Sequence, residues 1–276
     1  MGTLTFDPEK HSYRLDGKRL TSVTTILNGG IPKPQLVNWA ARVTASWVLS
    51  PDNGDELAEL REQHAAVAPY LGEREYSTAQ KFLSSRHDAE RDTAAVRGTA
   101  VHNLAEQLVH GEQVEVPEEL EPYIDGYLEF LDKWQISPVL TEKTVLIKSL
   151  GVAGRFDLIA TSPYLRAGRP VMIDLKTSRG IYGETGLQCA AYSCADYYVD
   201  EDDPGTELEL PAIAGTYVAH VTPTGTELHP LATDQAQIVR QFDMFKAAHF
   251  IYRTTTERNK IVGPALEHPG TIQTAA

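Results

Sequence analysis

The sequence has only two cysteines among 276 residues, which excludes a framework of several disulfides and favours a reducing compartment. It contains no apolar run of the roughly 18 residues that a membrane-spanning helix requires. The opening segment Met1–Asp7 also lacks the basic and apolar regions of a secretory signal peptide. These absences predict a cytoplasmic protein that is not inserted in a membrane.

The sequence also lacks the excess of basic residues that nucleic-acid-binding proteins usually carry, since its formal net charge is −13. Three segments, 52–62, 112–125 and 200–209, hold 17 of the 38 acidic residues, with Arg61 as their only base. The rest of the chain has 21 acidic and 24 basic residues. We interpret the three segments as solvated acidic loops, so the charge permits DNA binding without predicting it. The basic residues that we expect to gather near a DNA cleft are Lys81, Arg86, Arg91 and Arg97.

The pattern of apolar residues and turns predicts an α/β fold. Residues 3–20 predict a β-hairpin with its turn at Asp16-Gly17, followed by helices at about 23–27, 35–49, 54–67, 92–110 and 118–135. Strands are predicted at about 139–149, 152–161 and 170–177, then a helix to about 199, a hairpin over 212–229 and a helix over 232–252. We expect one domain, 1–260, in which 1–97 is an N-terminal hairpin and helical region, 98–260 is the core, and 261–276 is a flexible tail.

The segment Val171–Lys176 carries the most informative chemistry of the sequence. Because side chains alternate along a strand, Asp174 and Lys176 point to one face and Leu175 to the other. Asp157 lies on the preceding strand, where alternation predicts Arg155, Asp157 and Ile159 on one side. Two carboxylates held together require a cation, and Mg²⁺ and Mn²⁺ prefer such oxygen ligands. Asp, Lys and a divalent metal together indicate phosphodiester hydrolysis.

Two helices offer further polar residues to this neighbourhood. His102 and Glu106 are four residues apart, on the flank of a predicted buried stripe of Val101, Leu104, Ala105 and Leu108. Gln188 and Tyr192 have the same spacing on the helix that follows the Asp-x-Lys strand. Both could hydrogen-bond a phosphate or orient Lys176. Taken alone, His102 is better explained as a partly buried hydrogen-bonding residue, and Gln188 and Tyr192 as a surface glutamine and a core tyrosine.

Five spaced motifs resemble the RecB-like branch of the PD-(D/E)XK nucleases. They are Gly98-x-x-x-His102, Glu142, Gly154-x-x-Asp157, Asp174-x-Lys176 and Gln188-x-x-x-Tyr192, in that order. The segment Tyr13 to Leu27 is also similar to the N-terminus of phage-encoded members and of the mitochondrial genome maintenance exonuclease. The resemblance implies a restriction-endonuclease-like core, in which helices flank a central mixed sheet.

The resemblance also implies roles for individual residues. His102, Asp157, Asp174 and the Leu175 carbonyl would bind Mg²⁺ or Mn²⁺. Lys176 would be the catalytic lysine, and the catalytic set would also include Asp157, Asp174, Gln188 and Glu142. Glu142 could instead lie behind the metal ligands without contacting the metal itself. The expected substrate contacts are Gln188, Tyr192, Gly98, Thr99 and Arg97. An iron–sulfur cluster, found in some members, needs four cysteines, so none is expected here.

The resulting hypothesis is a metal-dependent DNA exonuclease of recombination, repair or phage DNA metabolism. The sequence has no Gly-x-x-x-x-Gly-Lys-Ser/Thr motif, so we expect free ends, single strands or a recombination or single-strand-binding partner to provide its substrate. A structure-selective or nicking endonuclease would use the same residues. A small-molecule phosphoesterase lacks the signal of an enclosed pocket. An inactive DNA-binding or assembly protein on the same fold is the alternative from another class, against which the intact Asp157, Asp174 and Lys176 argue.

Overall fold

A mixed sheet with helices on both faces organises the computed structural model, which describes residues 2–266. Residues 267–276 of the predicted tail lie outside the described residues. The strands are β1 (Leu4–Asp7), β2 (Ser12–Leu15), β3 (Lys18–Ser22), β4 (Ser137–Ile147), β5 (Val152–Thr161), β6 (Val171–Lys176), β7 (Tyr197–Asp200), β8 (Asp203–Leu208), β9 (Thr216–Thr222) and β10 (Gly225–Ala232). The helices are α1 (Val23–Gly30), α2 (Pro34–Leu49), α3 (Gly54–Val67), α4 (Thr78–Ser84), α5 (Arg86–Val109), α6 (Glu121–Lys133), α7 (Glu184–Ser193), α8 (Gln235–Arg253) and α9 (Thr255–Arg258).

The main path of the sheet runs β8-β7-β4-β5-β6-β9-β10. All its neighbours are antiparallel except β6 and β9, which are parallel. The N-terminal strands join this sheet because β3 pairs in parallel with the start of β5, through Thr21 and Ser22. The predicted turn at Asp16-Gly17 is confirmed, since both residues have the positive φ that a tight hairpin turn requires.

Helices cover the two faces of the sheet with separate hydrophobic clusters. One cluster packs α1, α7 and α8 against residues such as Val152, Phe156 and Met172. The other packs α5 and α6 against Leu158, Ile173 and their neighbours. The predicted α5 stripe is confirmed, because Val101 and Ala105 are buried and Leu104 and Leu108 pack against the same cluster. None of the helices within residues 2–266 has the length and hydropathy of a membrane span.

Two predictions after β6 are wrong. The helix that was expected to reach about residue 199 ends at Ser193, and the expected acidic loop forms the hairpin of β7 and β8. Tertiary contacts stop the helix, because the Asp196 carboxylate accepts the Lys148 amide at 2.7 Å and the Asp196 amide donates to Leu146. Helix α5 also begins at Arg86, six residues before its predicted start. The predicted boundary between the N-terminal region 1–97 and the core 98–260 therefore falls inside this helix.

The predicted alternation along β5 is also wrong in its second half. Ile159 packs in the same cluster as Phe156, whereas Leu158 packs in the cluster on the opposite face. The alternation therefore breaks at Asp157. The neighbouring strand is irregular at the same level, because Glu142 lies between residues paired with Phe156 and Leu158 and has a left-handed φ of 48°. Such a conformation costs a non-glycine residue about 1–2 kcal/mol.

Candidate active site

The site lies where β5 and β6 separate. Their pairing ends at Leu158 and Ile173, while β6 continues along β9 from Asp174 to Lys176. The separation would leave the Leu175 amide without a partner across the gap. The Asp157 carboxylate accepts that amide at 2.6 Å. One side chain thus caps the fork of the two strands, which satisfies a backbone donor that strand pairing no longer reaches.

On one side of the fork, four residues form a group that we term the lysine half: Asp174, Lys176, Gln188 and Tyr192. As predicted, Asp174 and Lys176 share a sheet face, and their Oδ2 and Nζ atoms lie 2.5 Å apart. Gln188 donates its amide to Asp174 Oδ1 at 3.0 Å and lies 3.5 Å from the Tyr192 hydroxyl. Asp174 Oδ1 therefore accepts a hydrogen bond, whereas Oδ2 has only the ion pair with Lys176.

Burial changes the titration of the lysine half. It raises the pKa of Asp174 to about 6, a shift that the Lys176 ammonium opposes. Burial by itself lowers the pKa of Lys176, but the carboxylates of Asp174 and Asp157 outweigh it and raise that pKa. Burial also raises the pKa of the Tyr192 phenol well above its usual value. Lys176 is therefore a cation at neutral pH, and Tyr192 acts as a neutral hydrogen-bonding group.

A glycine explains how Tyr192 reaches the fork. A Cβ added at Gly154 of β5 would lie 2.3 Å from Tyr192 Cε1, so the ring occupies the space of the missing side chain. A glycine inside a strand often marks such a close approach of another group. Gly98 of α5 similarly lies against the end of β6, because an added Cβ would be 3.2 Å from Thr177 Oγ1.

On the other side of the fork lies the histidine half: His102, Glu142, Arg155 and Asp157. His102, Glu142 and Asp157 each offer a donor atom within 4.8 Å of the other two. His102 Nδ1 is 3.7 Å from Asp157 Oδ2, which places the α5 flank against the sheet as the helical spacing predicted. Burial, and next the charge of Asp157, raise the pKa of Glu142 to about 8. The metal-free fold therefore favours the protonated form of Glu142.

Arg155 is a residue that the sequence prediction placed beside Asp157 but gave no role. Its guanidinium bonds Glu142 at 2.6 Å and Glu201, and it lies 4.0 Å from Glu106. Burial lowers the pKa of Arg155, but the bonds to Glu142 and Glu201 more than compensate, so the pKa is raised. Its position two residues before Asp157, on the same side of the strand, was the available signal. No signal in the sequence indicated its contact with Glu201, which is 46 residues away.

The expected metal ligands are distributed unequally over the two halves. His102 and Asp157 meet Glu142, the residue whose role was left open. Asp174 is held instead by Lys176 and Gln188, and the Leu175 carbonyl accepts from Lys176 Nζ at 3.3 Å. One imidazole and two carboxylates are a donor set suited to Mn²⁺ or Mg²⁺. The residues fit the metal that the sequence predicted, with a cation offsetting the charge that raises the pKa of Glu142.

The predicted substrate contacts on α5 and the basic residues that we expected near the cleft do not gather in one group. Thr99 is exposed on α5, and the Arg97 guanidinium lies 5.7 Å from the centre of the Tyr123 ring on α6. Of the other basic residues that we expected near the cleft, Arg91 is paired with Asp88 and Asp92. Arg86 lies over the rings of Phe82 and Trp47, at 4.0 and 5.7 Å.

Two cavities border the loop between β6 and α7, one beside Lys176 and one beside Arg86. The first, of about 290 Å³, is lined by Lys176, Gln188 and residues of α1, α2 and the β6–α7 loop. The second, of about 600 Å³, lies between α2 and α5 and reaches Arg179 of the same loop. We term the second cavity the α2–α5 groove; its lining includes Trp39, Arg42, Trp47, Arg86, Glu90 and Arg179.

Comparison with models of known protein families gave no match, and comparison with curated protein sequences gave none either. The fold and the side-chain geometry are therefore the basis for assigning a function. They define a mixed α/β chain with a carboxylate-, histidine- and lysine-containing centre at a fork in its central sheet.

Proposed function

We propose that this protein is a metal-dependent deoxyribonuclease of the RecB-like PD-(D/E)XK type, acting on DNA ends. The observation that carries the proposal is the convergence of Asp157, Asp174 and Lys176 at the fork of β5 and β6, with His102 beside Asp157. A carboxylate and an ammonium are expensive to keep buried without a use. A divalent cation would bind the carboxylates of this set, and a polyanionic substrate would contact the ammonium.

The residues divide the work of hydrolysis between the two halves. His102, Glu142 and Asp157 would hold a divalent cation, and Asp174 would join them from the lysine half. Such a cation supplies Lewis acidity towards a phosphate oxygen and lowers the pKa of a water molecule. Lys176 would place its ammonium beside the phosphate and stabilise charge that develops during the reaction. Gln188 and Tyr192 keep Asp174, and through it Lys176, in position.

The α2–α5 groove is the route by which DNA would reach this centre. Three arginines and two tryptophans line it, together with Glu90 as the acid of that lining. Arginines bind phosphates, and aromatic rings stack on unpaired bases, so the groove favours a single strand. Its border at Arg179 is three residues from Lys176. A local basic groove thus offers an acidic protein a contact with DNA.

A time course on end-labelled linear DNA and on closed circular DNA, with Mg²⁺ or Mn²⁺, tests the function. We expect linear DNA to be degraded and circular DNA to persist, with activity lost in EDTA and in Lys176→Met. Lys246→Met, which removes an exposed lysine of α8, is the matched control and should retain activity. Nicking of circular DNA would establish the endonuclease instead. Binding without cleavage of any substrate would establish an inactive DNA-binding protein and refute the enzyme.

The groove has its own test, because Arg42 and Arg179 are both exposed and their removal should leave the fold intact. We expect Arg42→Ala and Arg179→Ala to weaken single-stranded DNA binding and to reduce the slope of log affinity against log salt by about 0.7 each. Arg19→Ala, an exposed arginine of β3, should change neither quantity. An affinity that does not depend on salt would exclude the groove as the DNA path.

A further inference from the structure

The β9–β10 hairpin carries a second group of donor atoms, separate from the ligands of the proposed nuclease centre. His220, Glu227 and His229 each offer one ligand atom within 4.8 Å of the other two. Glu227 lies directly opposite His220 in the antiparallel register, and His229 follows Glu227 by two residues. All three side chains therefore project from the same face of the hairpin. We term this group the hairpin cluster.

We propose that the hairpin cluster is a binding site for a transition-metal ion, with Zn²⁺ as the best-matched ion. Two imidazoles and one carboxylate suit Zn²⁺ and its neighbours in the first transition series better than Mg²⁺, which prefers oxygen ligands. Zn–N and Zn–O bonds of about 2.1 Å in a tetrahedron separate two ligand atoms by roughly 3.4 Å. His229 Nε2 and Glu227 Oε2 already lie 3.2 Å apart.

The hydrogen bonding of His220 favours metal binding. Its Nε2 lies 2.7 Å from the Ser178 carbonyl oxygen, which can only accept, so Nε2 carries the proton and donates. The Nδ1 lone pair is then available to a metal. Histidine ligands commonly donate their second nitrogen to a backbone carbonyl in this way, which fixes the ring and its tautomer. Of the three side chains, His220 is therefore already held in one orientation.

The hairpin cluster adjoins the nuclease centre but uses none of its proposed metal ligands. His220 lies opposite Lys176 in the parallel register of β9 and β6, whereas Asp174 lies opposite Val218. Glu227 and His229 lie on β10, one strand further out, with side-chain exposures of 75% and 44%. Such exposure leaves them room to turn towards a common ion, with water completing the coordination. The simpler alternative, a surface Glu–His pair, predicts no change at the His220 ring when Zn²⁺ is added.

The test is a titration of the EDTA-stripped full-length protein with Zn²⁺ in a large excess of Mg²⁺, which occupies the oxygen-rich centre. We expect binding of Zn²⁺ that weakens at least tenfold in His229→Gln and in Glu227→Gln and is unchanged in Asp157→Asn. His249→Gln, a histidine of α8, is the matched control. Co²⁺ should give visible absorption bands of a tetrahedral site in the wild type but not in His229→Gln.

Two further measurements decide the outcome independently of nuclease activity. Nitrogen-15 spectra of the histidine rings should show shifts at His220 and His229 when Zn²⁺ is added. Zn²⁺ should also raise the Tm of the wild type, and less so that of His229→Gln, because a ligand of the folded state stabilises it. Equal Zn²⁺ affinity in the wild type and His229→Gln would overturn the proposal, as would loss of Zn²⁺ binding in Asp157→Asn.

Discussion

The two halves of the candidate active site hold similar residues in opposite electrostatic states. In the lysine half, one carboxylate faces one ammonium, and the Gln188 amide occupies the remaining carboxylate oxygen. In the histidine half, the Arg155 guanidinium is shared among Glu106, Glu142 and Glu201, while Asp157 receives a backbone amide and lies near a histidine. One half is compensated internally, whereas in the other the acids outnumber the bases, so that ionising all of them is unfavourable without a cation.

This difference indicates a division of labour. A compensated half can hold a charged side chain in a fixed place before the substrate arrives, which is what electrostatic stabilisation of a reaction requires. A half with surplus negative charge gains free energy when a cation binds. Arg155 holds Glu142 and Glu201 close to each other through its ion pairs. The lysine half would supply positioning, and the histidine half affinity for metal.

The largest effect should follow from removing the ammonium of the lysine half. In Lys176→Met, whose side chain has a similar length, we expect the cleavage rate to fall by about 100- to 1,000-fold, as when other transition-state donors are removed. Mn²⁺ affinity, measured by isothermal titration, should not weaken, because Lys176 repels rather than binds a cation. A large loss of Mn²⁺ affinity in this variant would show that the two halves are not separable.

Metal binding should respond more strongly to the histidine half. We expect Asp157→Asn to weaken Mn²⁺ binding at least tenfold, since it removes a carboxylate of the surplus group. Asp174→Asn should have a smaller effect, because both oxygens of Asp174 already contact Lys176 or Gln188. Glu106→Gln, at the half-exposed rim of the Arg155 network, is the control. An equal loss in the two aspartate variants would place the metal symmetrically between the halves.

The sequence predicted the lysine half better than the histidine half, for a physical reason. Asp174, Lys176, Gln188 and Tyr192 lie on one strand and the next helix, where periods of two and four residues decide which side chains meet. The histidine half depends on long-range contacts instead. Glu201 contacts Arg155 from the hairpin of β7 and β8. The run of acidic residues in this segment led us to predict a loop there instead.

The break in alternation at Asp157 could not be read from the sequence either. The break coincides with the point where β6 leaves β5, and there the Asp157 side chain accepts a backbone amide. β5 pairs with β4 on both sides of Asp157, but it pairs with β6 only over Leu158–Ala160, and periodicity does not show where such a pairing ends. The sequence did not predict the hairpin cluster either, because the pairing of His220 with Glu227 depends on the register between two strands.

A change where Tyr192 of the lysine half packs against β5, the strand of Arg155 and Asp157, should have a moderate effect on stability. In Gly154→Ala, the added methyl group would meet the buried Tyr192 ring at 2.3 Å, and we expect a loss of about 1–3 kcal/mol in the free energy of unfolding. Gly183→Ala is the matched control, since no atom lies within 4 Å of its added Cβ. Denaturant unfolding measures both. Equal stability of the two variants would mean that Tyr192 can move away from β5 at little cost.

The smallest effect concerns the surplus charge of the histidine half in metal-free protein. Because burial raises the pKa of Glu142 from 4.5 to about 8, the folded state favours its protonated form. The contribution of this group to stability is greatest below its unfolded pKa of 4.5 and is lost as the pH rises towards 8. In EDTA, Glu142→Gln should therefore gain Tm relative to the wild type at pH 8 but not at pH 5.

Mg²⁺ should narrow the difference at pH 8, because it stabilises the ionised carboxylates of the wild type. A Tm difference that does not depend on pH would show that Arg155 already neutralises Glu142, and the contrast between the two halves would then rest on Asp157 alone.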